Sequence, residues 1–455
     1  MKNSGTKDIY SREFIIYKTI LGILERIDQK GAYANILINS VLNKNNYSPK
    51  EKAVINETAN QVIIWKKKLD WIIKCFFDKD IKKLDPTLKY ILWIGIYLIY
   101  IKNDPKTHAV VDGLVEFTKR FFKVSASKLI NAILRNLIRQ KDSIEFPDEN
   151  RDMLNALSVK YSHPGWMVNR WLERYGLDNT RKILNRNNHP PDLSLRVNIR
   201  RTTIEKIENY LRDKNINFTR STEIPEFLLL DRNFPVIQSN IFIEGLVSIQ
   251  DLSSGISPHM FNIEDYSSIF DICAAPGSKS FHLSEIYDRK NTIFSVDINT
   301  NRIKLLLSDK KRLKTDNIFT TAADGRNLPF NSADNVLLDV PCSSTGTLNK
   351  RSDLRWHITE EEINNISKLQ KDLISGSAEI LKPGGQLVYS TCTIEQEENE
   401  DVINWFISKN KKIKIMEPSF FKNSKLIREN NFVRTIQGLN DNMNGSFTVL
   451  LQKTD

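Results

Sequence analysis

The feature that most constrains the fold of this chain is the pattern after Ser268, where short apolar segments alternate with amphipathic helical ones. Alternation of this kind predicts an α/β fold with a parallel, doubly wound sheet and right-handed crossovers. The main predicted helices cover residues 299–314 and 360–381. The predicted strands cover residues 269–273, 292–297, 318–322, 335–339, 386–390, 413–416 and 447–452.

Two of the four cysteines follow the ends of two of these strands. Cys342 stands in Asp339-Val-Pro-Cys, and Cys392 stands in Ser390-Thr-Cys. In the strand order 3-2-1-4-5 the fourth and fifth strands are neighbours, ~4.8 Å apart, so both thiols are expected side by side at the carboxyl edge. A free cysteine is usually a small buried hydrophobe. A pair at the edge where doubly wound sheets bind ligands instead favours a chemical role.

The first strand of this region runs into a loop built of small residues, Asp271-Ile-Cys-Ala-Ala-Pro-Gly-Ser-Lys-Ser280, which opens a helix. Small residues let the backbone approach a ligand, and the amides of a helix start favour a carboxylate or a phosphate. Gly277 is its only glycine, so the loop is not a dinucleotide fingerprint. Asp297 closes the second strand and suits ribose hydroxyls, while Asp324 follows the third and suits an adenine amine. The pattern predicts a nucleoside cofactor without a pyrophosphate.

The first 140 residues have a different pattern, because their apolar residues recur at spacings of three and four. This predicts an all-helical domain over residues 1–140. The same stretch contains 25 Lys and Arg against 13 Asp and Glu, so it carries the whole surplus of a chain whose net charge is +11. Such a surplus favours an RNA or DNA partner, although any single basic run is equally explained as a solvated helix face.

Between these regions, the polar residues 141–152 are predicted to form a linker, and residues 153–243 a small α+β subdomain. In that subdomain we predict strands at 194–199, 227–230 and 236–241 and a helix at 202–214. The third domain is then expected over residues 244–455.

The remaining sequence features bear on location and metal binding. The first residues lack the apolar segment of a secretory signal, and the longest apolar run, residues 91–101, is too short for a membrane span. The cysteines, at positions 75, 273, 342 and 392, have no CxxC spacing and no nearby histidines. We therefore expect a cytoplasmic protein with reduced thiols, no membrane partner and no metal, and a monomer as the simplest state.

Three motifs carry a resemblance to a known family. Asp271-x-Cys-Ala-Ala-Pro-Gly-x-Lys279, Asp339-x-Pro-Cys342-Ser and Tyr389-Ser-Thr-Cys392 resemble the main motifs of the RNA (cytosine-C5) methyltransferases, which use S-adenosylmethionine. Residues 128–137 are similar to the last helix of the NusB-like RNA-binding domain. From residue 10 to the end, the chain resembles the RsmB (Fmu/Sun) family of ribosomal RNA methyltransferases. The resemblance implies methylation of cytosine C5 in RNA, with 16S ribosomal RNA as the expected substrate.

The resemblance also implies roles for individual residues. Cys392 would add to C6 of the base, Asp339 would share a proton at N3, and Cys342 would act in proton removal and enzyme release. Lys279 would hold Asp339 or the base, or would be a lysine that only extends to solvent; Arg302 would support Asp297 or be a surface residue. The expected cofactor site comprises Cys273, Ala274, Ala275, Pro276, Gly277, Ser278, Lys279, Asp297, Arg302, Asp324 and Asp339.

The chain departs from the family pattern at four serines. Ser278 and Ser344 stand where the family usually has glycine, Ser280 where it has threonine, and Ser352 where it has proline. None of these changes removes an acid, a thiol or Lys279. Two alternatives remain: a transfer RNA cytosine-C5 methyltransferase, and a noncatalytic RNA-binding assembly or antitermination factor. A DNA cytosine methyltransferase would use the Pro-Cys thiol as nucleophile and would not need Cys392.

Overall fold

The computed structural model describes residues 4–231, 234–287, 290–422, 424–426, 429–440 and 442–454, with the backbone alone for 4–11 and 429. The chain forms two compact units. The first consists of Met1–His189 and Leu348–His357, and the second of Pro190–Thr347 and Ile358–Asp455. The sequence places domain boundaries near residues 140, 153 and 243, and those boundaries stay a prediction.

The first unit is helical, as predicted. The start of its fourth helix shows why these segments fold locally: the Asp85 carboxylate accepts the amides of Thr87 at 2.9 Å and Leu88 at 3.2 Å, and Pro86 occupies the first turn. The core forms around buried Trp93. The helices are α1 (Ser4–Lys30), α2 (Ala34–Lys44), α3 (Pro49–Phe76), α4 (Pro86–Ile96), α5 (Thr107–Phe121), α6 (Val124–Gln140), α7 (Met153–Lys160) and α8 (Gly165–Asn188).

The second unit begins with a small antiparallel sheet in the order β2-β3-β1-β4. Its elements are β1 (Leu193–Val197), α9 (Ile204–Asp213), β2 (Phe218–Arg220), β3 (Phe227–Leu230), α10 (Asn240–Ile243) and β4 (Val247–Ile249). The predicted strand at 236–241 is wrong. That segment forms helical turns, because Pro235 precedes it and the Ser239 hydroxyl donates to the Val236 carbonyl at 2.6 Å, which closes the chain locally. The strand that completes the sheet comes six residues later.

The rest of the second unit is the predicted doubly wound sheet. Its order is β7-β6-β5-β8-β9-β12-β10, with β11 beside β12, so the expected 3-2-1-4-5 arrangement is confirmed. The elements are β5 (Ser268–Ile272), α11 (Ser278–Ile286), β6 (Thr292–Asp297), α12 (Thr300–Leu313), β7 (Ile318–Ala322), β8 (Ala333–Asp339), α13 (Leu354–His357, packed in the first unit), α14 (Glu360–Glu379), β9 (Leu381–Thr391), α15 (Glu400–Lys409), β10 (Ile413–Met416), β11 (Val433–Thr435) and β12 (Ser446–Lys453).

The sheet is parallel only as far as β9. The last strand, β12, pairs antiparallel with β9, β10 and β11, which corrects the expectation of a wholly parallel sheet. Residues 436–445 are all that separate β11 from β12, and this is less than the dozen or more residues that a parallel crossover requires. Alternate residues of the central strands are buried on opposite faces, with Ile269 in one core and Phe270 in the other.

The segment Leu348–His357 leaves the sheet-bearing part of the chain and packs in the helical unit. The Arg355 side chain is fully buried and donates to the Asn188 side-chain oxygen at 2.6 Å and to the Asn187 carbonyl at 2.8 Å. The Trp356 indole donates to the Ile63 carbonyl at 2.8 Å. The residue before α13, Asp353, accepts the Ala34 amide at 3.0 Å. Within the described part of the chain, no helix combines the length and apolar character needed to cross a membrane.

Candidate active site

The two cysteines expected to be neighbours are neighbours. Strands β8 and β9 pair in parallel, with Asp339 opposite Ser390, so the chain leaves both strands at the same edge of the sheet. The Cys342 and Cys392 sulfur atoms lie 3.2 Å apart, and both residues are partly exposed. They are thus neither buried as hydrophobic core residues nor bonded to each other. The site presents a pair of thiols that a ligand can reach.

The surroundings make these two thiols chemically different. The pKa of Cys392 is lowered, first because the Cys342 thiol donates a hydrogen bond to its sulfur and also because the Ser344 hydroxyl does so. The pKa of Cys342 is raised well above its ordinary value, because it holds the shared proton and because it is buried against its neighbours. At neutral pH the pair therefore favours a thiolate at Cys392 and a protonated thiol at Cys342.

Ser344 contacts both sulfur atoms. Its hydroxyl oxygen lies 3.4 Å from the Cys392 sulfur and 3.9 Å from the Cys342 sulfur. Its φ angle is 58°, in the left-handed region that favours glycine, which explains why glycine is the usual residue of the family pattern at this position. The serine accepts this backbone conformation and brings a hydroxyl to the pair; its oxygen accepts from the Cys392 thiol and its proton is directed to the Cys342 carbonyl at 3.4 Å.

Lys279 and Asp339 form an ion pair beside the cysteines. The ammonium group contacts an Asp339 carboxylate oxygen and lies 3.2 Å from the Ser390 hydroxyl. Lys279 is only 8% exposed, so it is not a lysine that extends to solvent. Asp339 has a third of its side chain exposed, which leaves one face of the carboxylate open to a ligand.

A buried glutamate that sequence reasoning missed holds the two cysteine loops together. Glu398 accepts the Ser343 amide at 2.8 Å, the Thr393 hydroxyl at 3.1 Å and the Gln370 amide at 3.0 Å, and also contacts the Ser343 hydroxyl. Ser343 follows Cys342 and Thr393 follows Cys392. Burial raises the pKa of Glu398 to about 7. Glu398 stands in an acidic run before a helix, a pattern typical of exposed first turns, so no local signal marked it as buried.

The loop after β5 is organised by Asp297. One of its carboxylate oxygens accepts the Ala275 amide at 3.0 Å, and the other accepts the Asn299 amide at 2.8 Å. Arg302 lies 3.5 Å from the same carboxylate and donates to the Ala275 carbonyl. Of the two alternatives for Arg302, support of Asp297 is therefore the observed one. Each carboxylate oxygen has two lone pairs, so this arrangement leaves acceptor capacity for ribose hydroxyls.

At the helix start, Gly277 packs closely against the Leu306 side chain. Gly277 has φ 103°, and a Cβ atom there would lie 2.6 Å from the Leu306 side chain, so only glycine fits. Ser280 donates to buried Asp271 at 2.5 Å, which shows how serine replaces the threonine of the family pattern. Burial raises the pKa of Asp271 to about 7 and that of Cys273 to about 12, so Cys273 lines the loop as a neutral thiol.

Asp324 lies just beyond β7 and is partly exposed. Its carboxylate accepts hydrogen bonds from the Arg326 side chain at 2.6 and 3.0 Å, and these lower its pKa. The edge of the sheet thus carries two carboxyl groups, at Asp297 and Asp324, beside a helix start and a loop of small residues. This set of groups fits the ribose, adenine and methionine carboxylate groups of S-adenosylmethionine, which is the cofactor expected from the sequence.

Comparisons with known proteins agree with this architecture. A family model described as 16S rRNA methyltransferase RsmB/F matches residues 258–452, the NusB family matches 16–139, and the ferredoxin-like domain of RsmF/B-like methyltransferases matches 163–237. The chain is 31% identical over 395 residues to a probable ribosomal RNA small subunit methyltransferase B of Synechocystis sp., covering 85% of this chain and 87% of that protein.

The chain belongs to the RsmB/F family of methyltransferases. A second relative, a probable ribosomal RNA small subunit methyltransferase B of Bacillus subtilis, is 27% identical, covering 90% of this chain and 89% of that protein. A crystal structure described as PH0851 superposes with a TM-score of 0.78 at 25% identity and covers 96% of this chain and 99% of that one. Membership of the RsmB/F family confirms the expected methyltransferase activity, its S-adenosylmethionine cofactor, and the NusB-like and doubly wound parts of the fold.

Proposed function

We propose that this protein methylates C5 of a cytosine in RNA, with 16S ribosomal RNA as substrate, through a covalent adduct with Cys392. The observation that carries the proposal is the unequal thiol pair, with sulfur atoms 3.2 Å apart and the pKa lowered at Cys392 and raised at Cys342. Methyl transfer to a heteroatom needs no such pair. Cytosine C5 is a poor nucleophile until a thiolate has added at C6, and this explains the need for one nucleophilic and one protonated sulfur.

The cofactor would be held by the loop Cys273 to Ser278 and by Asp297, Asp324 and Lys279. Its positive sulfonium supplies an electrophilic methyl group when bound. The small side chains of the loop let its backbone approach a ligand, and the amides at the start of α11 suit a carboxylate. Arg302 would act on the cofactor through Asp297, since it contacts the carboxylate oxygen that also accepts the Ala275 amide.

The chain's own groups then have distinct tasks. The Cys392 thiolate adds to C6 of the base, and the negative charge that develops on the ring is relieved at N3 by a proton shared with Asp339. Lys279 fixes the Asp339 carboxylate and adds positive charge beside it. After C5 has gained the methyl group, Cys342, which has by then released its own proton to solvent, takes the C5 proton as a thiolate. The C6–S bond breaks, N3 returns its proton to Asp339, and Cys392 leaves as a thiolate. Glu398 keeps both cysteine loops in register during these steps.

The basic helical unit supports RNA as the partner. Lys119, Arg120, Lys123 and Lys128 are exposed near the junction of α5 and α6, and exposed Phe121 and Phe122 stand between them. Basic groups that neutralise phosphates, with aromatic rings that can stack on bases, are the usual composition of an RNA-binding surface. We extend the proposal to a monomer that works in the cytoplasm, with domains over residues 1–140, 153–243 and 244–455.

A denaturing gel tests the chemistry directly. Cys342→Ala and Cys392→Ala proteins are expressed in cells and run before and after ribonuclease treatment. We expect a retarded RNA adduct for Cys342→Ala, because the enzyme adds but is not released, and no adduct for Cys392→Ala. The opposite pattern would exchange the two roles. A wild-type protein with neither adduct nor methyl transfer would instead support a noncatalytic RNA-binding factor.

The substrate is tested by methyl transfer to purified RNAs. Wild-type protein with labelled S-adenosylmethionine is offered 16S ribosomal RNA, assembling small subunits and total transfer RNA in parallel, with Cys392→Ala protein as the matched control. We expect incorporation into ribosomal RNA that is absent from the control. Incorporation into transfer RNA alone would favour the transfer RNA alternative.

A further inference from the structure

Three residues outside the methyl-transfer site bring metal-binding atoms together. A Glu226 carboxylate oxygen lies 2.6 Å from His259 Nε2 and 2.6 Å from His282 Nε2, and the three ligand atoms lie within 4.8 Å of one another. Glu226 directly precedes β3, His259 is in the turn Ser257–Met260, and His282 is in α11. The elements are far apart in the chain, with Glu226 and His282 separated by 56 positions.

The environment of this cluster favours a cation. His282 is fully buried, and Glu226 is only 4% exposed. Among the described residues, no lysine or arginine forms an ion pair with Glu226. A buried carboxylate whose near partners are two imidazoles, with no lysine or arginine paired with it in the described part of the chain, is a setting that suits a bound cation.

The ligand set suits one class of ion. Two imidazole nitrogens and one carboxylate oxygen are ligands of zinc and similar divalent transition metals, whereas magnesium and calcium prefer oxygen alone. In a tetrahedral site with bonds of about 2.0–2.1 Å, the ligand atoms stand roughly 3.3 Å apart, so the side chains need to open by less than 1 Å from the observed 2.6 Å.

The site also has an orienting neighbour and a route to solvent. The His259 ring stacks on Phe420, with centroids 4.2 Å apart and planes at 25°, which fixes its orientation. Glu226 and His259 line a cavity of about 530 Å³ whose wall includes Phe261 and Tyr287, so the fourth coordination position can be filled by water.

We propose that Glu226, His259 and His282 bind one divalent ion of the zinc class, and that this ion fastens α11 to the small antiparallel sheet. Helix α11 begins at Ser278, at the cofactor loop, so the ion would stabilise the helix on which that loop depends. The His282 Nδ1 atom has no hydrogen-bond partner among the described residues. A missing outer partner weakens metal binding by about 10–100-fold, so we expect a Kd larger by that factor than in a site whose histidines all have outer partners.

The test uses the full-length protein, freed of metal with a chelator, and Zn²⁺ as the probe. Because the thiol pair also binds soft metals, binding is measured by equilibrium dialysis in a Cys342→Ser, Cys392→Ser background. We expect one Zn²⁺ per chain. A 100-fold excess of Zn²⁺ over Kd should raise Tm by about 5 °C or more, whereas Mg²⁺ should leave it unchanged.

Two ligand variants and one control complete the design. His259→Ala and Glu226→Gln should each weaken Zn²⁺ binding by about 100-fold or more, since losing a ligand costs at least as much as losing its outer partner. The control is His189→Ala, an exposed histidine outside the cluster whose ring Nδ1 lies 2.8 Å from the Asn185 carbonyl. Glu226→Gln keeps the side-chain volume and decides the matter if His259→Ala does not fold. No Zn²⁺ bound in the Cys342→Ser, Cys392→Ser background, or unchanged binding in a folded Glu226→Gln protein, would overturn the proposal.

Discussion

Ser344 allows the tuning of the nucleophile to be measured separately from its reaction. Its hydroxyl oxygen accepts a hydrogen bond from the Cys392 thiol at 3.4 Å. When Cys392 is a thiolate, the hydroxyl can turn from the Cys342 carbonyl and donate to the Cys392 sulfur, which lowers the pKa of Cys392. A hydrogen bond to a charged group contributes about 1.5–3 kcal/mol, and the long S···O separation argues for the lower end. Since about 1.4 kcal/mol corresponds to one pKa unit, removing the hydroxyl should raise the pKa of Cys392 by about one unit.

Two variants separate this effect from backbone strain. Ser344→Ala removes the hydroxyl and keeps a side chain at φ 58°, whereas Ser344→Gly removes the hydroxyl and the strain together. Both should show the same pKa increase. Relief of the left-handed conformation contributes about 1–2 kcal/mol, and the extra chain entropy of glycine costs about 0.5–1 kcal/mol. The free energy of unfolding of Ser344→Gly should therefore exceed that of Ser344→Ala by about 1 kcal/mol.

The assay is alkylation of each cysteine by iodoacetamide as a function of pH, followed by peptide mass spectrometry. Below the pKa the thiolate fraction sets the rate, so Cys392 in both variants should react about tenfold more slowly than in wild type at acidic pH and equally fast at high pH. Exposed Cys75 is the internal reference, and its profile should not change. An unchanged Cys392 profile in both variants would refute the role assigned to the hydroxyl.

Three further predictions concern the buried acid, the ion pair and the basic surface. Folding raises the pKa of Asp271 from 3.8 to about 7, so its contribution to stability is complete below pH 3.8 and is lost as the pH rises through 7. This pH dependence of the free energy of unfolding amounts to about 4 kcal/mol. Asp271→Asn should remove it, which denaturant unfolding curves at several pH values would show. Lys279→Met should lower kcat at least tenfold, and a normal kcat would contradict the role of the Lys279–Asp339 pair. The same substitution should also lower the free energy of unfolding by about 2 kcal/mol, which is less than for a fully buried pair because Asp339 is partly exposed. Lys119, Lys123 and Lys128 are replaced by glutamine, and RNA binding is measured as a function of salt concentration. The slope of log K against log salt should become less negative by about 0.7 for each phosphate that is no longer neutralised. The same replacement at Lys411, Lys412 and Lys414 should leave the slope unaltered.

Much of the site could be predicted because its signals are local in sequence. A strand that ends in Asp339-Val-Pro-Cys and another that ends in Ser-Thr-Cys must, in neighbouring parallel strands, present both thiols at one edge. The same rule predicts that Asp297, at the end of β6, and Asp324, just beyond β7, lie at this edge as well. The prediction of a strand at 236–241 was wrong because a local hydrogen bond from the Ser239 hydroxyl outweighed an apolar pattern.

The sequence by itself determined most of the elements of the doubly wound sheet and their order, since hydrophobic period, turn residues and strand-end motifs act over a few residues. Only the tertiary structure decided which side chains meet across long separations. Four features depend on such contacts: the burial of Glu398 against two loops, the antiparallel insertion of β12, the packing of Leu348–His357 in the helical unit, and the cluster of Glu226, His259 and His282. No periodicity encodes them, because contacts between distant residues are fixed by how the elements pack, and the pKa values of the thiols and buried acids follow from that packing.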